Sequence, residues 1–67
     1  NRMAMRKSLV ARRPVQAGHV FDVDDLTCKR PAGGLEPSWF DRVVGQVAAV
    51  DLAEDDAVTL DSVRWDR

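Results

Sequence analysis

One cysteine, Cys28, is all the thiol this chain has, so no internal disulfide can staple it. One histidine, His19, leaves no Cys/His set at metal-ligand spacing. No histidine is placed to activate Cys28, which sits in an apolar context where burial is expected rather than nucleophilic chemistry. No acid/base pair stands out either. No apolar run approaches the length of a membrane span or a signal-peptide core, so no export signal is expected. Ten Lys/Arg against eleven Asp/Glu give a net charge of −1, which argues against general nucleic-acid binding.

What remains is a small domain of 67 residues that must hold itself by packing alone or lean on a partner. Its charge is divided unevenly. Residues 1–30 carry seven Lys/Arg and three Asp, whereas residues 31–67 carry three Lys/Arg and eight Asp/Glu. The two ends are therefore expected to lie near one another with complementary fields.

Residues 1–6 have no pattern and are expected to be a tail or linker remnant, with the domain running over residues 7–67. Ser8-Leu9-Val10-Ala11 is a short strand stopped by Arg12-Arg13-Pro14. Val15 to Phe21 places two apolar ends around a turn at Ala17-Gly18. Asp22 can cap a helical turn at Val23–Leu26, and Thr27 to Arg30 is extended. Ser38 to Val44 is the one convincing helix: Trp39/Val43 and Phe40/Val44 are i, i+4 pairs. Ser38 with Asp41 offers a capping-box-like start, and Gly45 a stop. The two aromatic residues are expected in the core.

Residues 15–26 can be laid over residues 52–63 without a gap, at a constant offset of 37. Apolar positions coincide at Val15/Leu52, Val20/Ala57, Phe21/Val58, Val23/Leu60 and Leu26/Val63. Gly18 falls on Asp55, which tolerates a left-handed backbone, and Asp22 falls on Thr59, another helix-cap former. His19 falls on Asp56 and is expected as an exposed turn residue. Two such units related by a pseudo-twofold would each bury the other's apolar face. The fold class is therefore mostly β with short helical turns.

Between the units runs Lys29-Arg30-Pro31-Ala32-Gly33-Gly34-Leu35-Glu36-Pro37. Pro31 restricts the backbone at Arg30, the glycines allow a tight turn or a close approach, and Pro37 can start a short helix. The segment would present one guanidinium at a fixed place, with Pro31, Gly33, Gly34 and Pro37 shaping the loop around it.

With these pieces in place the chain resembles the SAF, or antifreeze-like, domain at the C-terminus of sialic acid synthases. The carriers are Ser8-Leu9-Val10-Ala11, the Val15-x-x-Gly18-x-Val20-Phe21 turn, Asp25-Leu26-Thr27, Lys29-Arg30-Pro31-x-Gly33/Gly34-Leu35-x-Pro37, Val44-Gly45-Gln46, and Asp51 to Asp56. The resemblance implies a β-clip fold with a pseudo-twofold repeat. It also implies a cytoplasmic parent enzyme that condenses phosphoenolpyruvate with N-acetylmannosamine or a related amino sugar. The metal ligands and catalytic groups would lie on a (β/α)8 barrel, so this domain is expected to hold no cofactor and the barrel a divalent metal. In such a domain-swapped homodimer the antifreeze-like domain covers the partner subunit's active site, and the arginine matching Arg30 contacts the sugar's N-acetyl group. Neither nucleic acid nor membrane is an expected partner. A SAF module of a pilus-assembly or sugar-acid dehydratase protein keeps the repeat without predicting the Arg-Pro-x-x-Gly-x-x-Pro segment. Ice binding is the least favoured alternative, because Arg12, Arg13, Gly18, Val20 and Asp22 replace the flat, weakly polar surface that it needs.

Overall fold

A computed structural model describes residues 7–30 and 33–65 of the chain. Strand β1 (Ser8–Ala11) pairs antiparallel with β2 (Leu26–Lys29), Ser8 opposite Lys29 and Ala11 opposite Leu26. Strand β3 (Val47–Ala48) pairs in the same sense with β4 (Val63–Arg64), Val47 opposite Arg64 and Ala48 opposite Val63. A single 3-10 turn precedes each second strand, at Val23–Asp25 and at Leu60–Ser62. Between the two units a 3-10 turn (Pro37–Trp39) runs directly into the one-turn helix α1 (Phe40–Val43).

The offset of 37 is a real symmetry of the backbone. Val10 bridges to Ala57 and Val47 bridges to Val20, each contact being the mate of the other. Val15 and Leu52 are mates of one another, and they bridge each other directly, so the pseudo-twofold axis passes between them. Their paired hydrogen bonds are nearly equal, at 2.8 Å from Val15 N–H to Leu52 and 2.7 Å back. The core follows the same rule. Ala11, Val15, Phe21 and Leu26 are buried with their mates Ala48, Leu52, Val58 and Val63, and Leu9 and Val43 complete the cluster. Neither unit could cover its apolar face without the other, and that is how so short a chain removes enough apolar surface from water.

The turn chemistry agrees at both mates. Gly18 has φ 94° and Asp55 has φ 72°, so each unit turns through the left-handed region, once with glycine and once with a short polar residue that tolerates it. Asp22 accepts from the Val23 N–H at 2.6 Å in a capping box with Asp25. Thr59 and Ser62 form the second box, with the Thr59 N–H donating to Ser62 Oγ at 3.0 Å.

Two expectations are corrected. The helix is shorter than the Ser38–Val44 pattern suggested. Its entry is set by Pro37 at the first helical position after Glu36, with no side-chain cap at Glu36, so Ser38 lies inside the turn rather than capping it. Gly45, at φ 94°, does stop it. Cys28 is half-buried rather than buried, as are Trp39 and Phe40 at the edge of the core. The charge split closes through Lys29, which pairs with Asp55, while Arg13 turns to Asp25 of its own unit. No helix among the described residues is long and apolar enough to cross a membrane.

Candidate functional site

β2 ends at Lys29, and the next residue, Arg30, lies in a bend on the surface. Lys29 is spoken for: its Nζ lies 2.5 Å from Asp55 Oδ1, and that contact raises the lysine pKa. Arg30 is different. Among the described residues no hydrogen bond or ion pair engages its guanidinium, which leaves its five donors unengaged there. Pro31, expected to set the Arg30 backbone, lies outside the described residues.

The chain beyond it is held tightly. The Gly33 N–H donates to Oγ of the buried Ser8 at 3.1 Å, the Leu35 N–H to the Val58 carbonyl at 2.7 Å, and the Leu9 N–H to the Leu35 carbonyl at 2.8 Å. The segment thus returns to β1 and lies between Leu9 and Val58. Gly34 has no positive φ; its role is close approach. A Cβ there would press into the Val58 carbonyl oxygen and sit 3.0 Å from the Leu9 carbonyl oxygen. Gly33 carries no such constraint, since a Cβ would meet only the Ala57 side chain at 3.9 Å. Arg30 therefore follows directly on the β1–β2 ladder, and the chain is held again from Gly33 to Leu35. A shallow groove of about 310 Å³, lined by Lys7, Glu36, Pro37 and Ser38, runs beside this loop.

A second polar cluster lies in the first unit, and the sequence pattern had not singled it out. Asp25 is 1% exposed. Its carboxylate accepts from Arg13 Nε at 2.7 Å, from His19 Nε2 at 2.7 Å and from the Asp22 N–H at 2.8 Å. Burial alone would push this carboxyl up; the hydrogen bonds from Asp22, Arg13 and His19 outweigh it and hold the group below its ordinary value. Being ionised, Asp25 can only accept, so His19 donates through Nε2–H. The hydrogen bond from Arg13 to Asp25 raises the Arg13 pKa. His19 is in an exposed turn, as expected, but it is tied down. The one available sequence signal was the spacing Asp22-x-x-Asp25, a capping box whose mate is Thr59-x-x-Ser62. Arg13, His19 and Asp25 line a groove of about 420 Å³ with Pro14, Val15 and Gln16. With its acceptors saturated, the cluster is an internal tie and offers no free nucleophile.

On the far side of α1, Trp39 meets Trp65 edge-on with ring centroids 5.8 Å apart, and the Arg42 guanidinium lies 5.1 Å over the Trp39 ring. Arg42 is thereby engaged in a way Arg30 is not. Among the described residues no group of three or more His, Cys, Asp and Glu side chains could hold a metal ion.

Comparison with known proteins gives a consistent picture. The SAF domain family model matches residues 6–64. The N,N'-diacetyllegionaminic acid synthase of Campylobacter jejuni is 35% identical over 54 residues, covering 81% of this chain and 16% of that protein. An uncharacterised protein of Methanocaldococcus jannaschii is 31% identical over 61 residues, covering 91% of this chain and 18% of that protein. The chain thus spans less than a fifth of the length of these relatives. The solution structure of an antifreeze-protein-like domain in human N-acetylneuraminic acid phosphate synthase superposes with a TM-score of 0.80 at 29% identity, covering 85% of this chain and 73% of that one.

Proposed function

The chain belongs to the SAF domain family, as a sialic acid synthase-related member, and from that premise we propose that it is the substrate-capping C-terminal domain of a synthase of this type. The parent enzyme condenses phosphoenolpyruvate with N-acetylmannosamine or a related amino sugar in the cytoplasm. Its barrel domain supplies the divalent metal and the catalytic groups. In a swapped homodimer this domain covers the partner subunit's site, and Arg30 donates to the carbonyl oxygen of the sugar's N-acetyl group.

One observation carries this reading. Arg30 is exposed and unengaged among the described residues, yet it follows directly on the β1–β2 ladder, and the chain is held to β1 again at Gly33. A guanidinium is a planar fork that carries several donors in one fixed mutual geometry, and an anchored strand end limits where that fork can reach. A hydrogen bond from a charged donor contributes about 1.5–3 kcal/mol.

In the full-length synthase, Arg30→Ala is expected to weaken amino-sugar binding roughly 10- to 150-fold, since each 1.4 kcal/mol is a factor of ten. The effect falls on the sugar's KM or kcat/KM, with the KM for phosphoenolpyruvate nearly unchanged. Arg30→Lys recovers little, because a point charge does not reproduce the fork. Unchanged sugar kinetics in Arg30→Ala would return this arginine to the solvated surface.

A further inference from the structure

The first unit carries more than its fold requires. The mate of Asp25 is Ser62, and there a hydroxyl with one backbone donor serves the same turn, so the backbone does not need a carboxylate. The carboxylate holds two side chains that the hydroxyl does not. Oδ1 takes Arg13 Nε and Oδ2 takes His19 Nε2, each at 2.7 Å. Arg13 and His19 thus stand side by side on the two oxygens of one buried group. Their mates in the second unit, Val50 and Asp56, offer no such pair.

Each of these side chains commits one nitrogen to Asp25 and keeps another. Among the described residues nothing engages the two terminal nitrogens of Arg13, Nδ1 of His19 or the side-chain amide of Gln16. Because the ionised Asp25 fixes the imidazole N–H on Nε2, neutral His19 presents Nδ1 as an acceptor. All three residues line the groove of about 420 Å³, with Pro14 and Val15 as its apolar wall. The turn that carries Gln16 and His19 is bound to the second unit. Val15 pairs with Leu52, the Ala17 N–H donates to Asp51 Oδ1 at 2.8 Å, and the Gly18 N–H donates to the Ala48 carbonyl at 2.8 Å. A donor and an acceptor are therefore held in place before any ligand arrives, which lowers the ordering cost of binding.

The charge around the groove selects against ions. Beside Arg13 and its neighbour Arg12 stand four carboxylates: Asp22, Asp24 and Asp25 in the 3-10 turn and its cap, and Asp51 on the Ala17 N–H. An anion finds no net positive field there, and a cation would be set against the Arg13 guanidinium. What suits the pair is a neutral group with an acceptor and a donor on one edge. A primary carboxamide has both, since its C=O and one of its N–H bonds point the same way. A trans peptide sends them opposite ways and meets only one of the two. We propose that Arg13, His19 and Gln16 form a binding site for a primary carboxamide. Its carbonyl oxygen accepts from the Arg13 guanidinium, its N–H donates to His19 Nδ1, and the Gln16 amide closes the rim. Asp25 is the positioning residue behind both contacts. The site stands apart from Arg30, because the whole of β2 separates Asp25 from it, about 17 Å along the extended chain. It does not depend on the capping role.

The test follows the carbon-bound signals of the single histidine ring and of the Val15 methyls by NMR in the 67-residue chain. It is run at about pH 8, which keeps an imidazole neutral. Acetamide should shift these signals saturably, and acetate and N-methylacetamide should bind at least about fivefold more weakly. Asp25→Ser, which gives the first unit the residue of the second, should weaken acetamide by about tenfold or more while the spectrum stays that of a folded domain. Arg13→Lys and His19→Phe carry the test should Asp25→Ser fail to fold. Arg13→Lys, read on the same signals, should weaken acetamide about fivefold. His19→Phe, read on the Val15 methyls, should bring acetamide down to the level of N-methylacetamide. Free glutamine and N-acetylglutamine N-methylamide, run the same way, tell a free amide from a protein side chain by which binds more tightly. Binding by neither overturns the site. So does an acetamide response that does not saturate, acetate or N-methylacetamide binding as tightly as acetamide, or acetamide binding unchanged in Arg13→Lys and His19→Phe.

Discussion

At the 3-10 turn of the first unit the third position is Asp25, a buried carboxylate that takes hydrogen bonds from Asp22, Arg13 and His19. At the same turn of the second unit it is Ser62, which takes one from the Thr59 N–H and meets the Thr59 hydroxyl at 3.1 Å. The mates of Arg13 and His19 are Val50 and Asp56, and neither could serve a buried carboxylate as a cation. The backbone around the two sites is nonetheless the same, down to the bond from Arg12 N–H to the Asp25 carbonyl (2.8 Å) and its mate from Ala49 N–H to the Ser62 carbonyl (2.9 Å). The fold asks only for an acceptor at that position. A hydroxyl satisfies it with one short partner; a carboxylate satisfies it too, but must recruit charges from 12 residues away to be buried.

The third region, residues 30–44, joins the two units, and it breaks the symmetry most sharply. The Phe21 carbonyl accepts from Gly45, whereas its mate, the Val58 carbonyl, accepts from Leu35. Gly34→Ala attacks that second seam alone. We expect it to cost about 3 kcal/mol, because the new methyl group meets backbone that cannot move without losing the Leu35–Val58 bond. Gly33→Ala, one residue away, should change little. Urea unfolding of both variants checks this; equal costs would show that the close approach at Gly34 does not organise the loop.

The next comparison is Asp25→Asn against Ser62→Ala. Removing the charge leaves the turn short of an acceptor in a buried place and should cost about 2–3 kcal/mol, while Ser62→Ala should cost about 1 kcal/mol. The pH dependence follows from the same site. The Asp25 pKa is lower in the folded chain than the unfolded value of about 3.9, so its contribution is present above about pH 4 and is lost as pH falls through the folded value. Asp25→Asn should lack that acid loss, whereas Ser62→Ala should keep it. Denaturant midpoints at pH 3 and pH 6 decide the matter.

The smallest effect concerns the left-handed turns. Gly18→Ala should cost about 1 kcal/mol, as an added Cβ at φ 94° does even in open space. Asp55→Gly relieves the same strain in the second unit while losing the exposed contact with Lys29, and should leave Tm within about 3 °C. A large loss in Asp55→Gly would mean that the surface ion pair, not the turn, joins the two units.

Much of this was legible in the sequence because it is local. The constant offset, the turn at Gly18 with its counterpart at Asp55, the caps at Asp22 and Thr59, and the stop at Gly45 all follow from short-range chemistry. The stretch around Arg30 was legible for the same reason. Asp25 was not: whether a carboxylate is buried depends on what arrives from Arg13 and His19, and local pattern cannot supply that. The helix entry was misjudged at Ser38 because Pro37 offers the same start without a side-chain cap. The glycine pair suggested a tight turn, but only the packing of Gly34 on Val58 shows which glycine matters and why.

The central claim is that the symmetric units are scaffold and that the chemistry sits on the segment between them. The most direct measurement is the sugar KM of the full-length synthase for Arg30→Ala beside Asp25→Asn, taken together with the Tm of the same two variants in the 67-residue domain. Arg30→Ala should raise the sugar KM by at least tenfold with Tm within about 3 °C, and Asp25→Asn should lower Tm by about 8 °C or more with the sugar KM within about twofold. The opposite assignment, a stable kinetic defect in Asp25→Asn or an unfolding defect in Arg30→Ala, would contradict it.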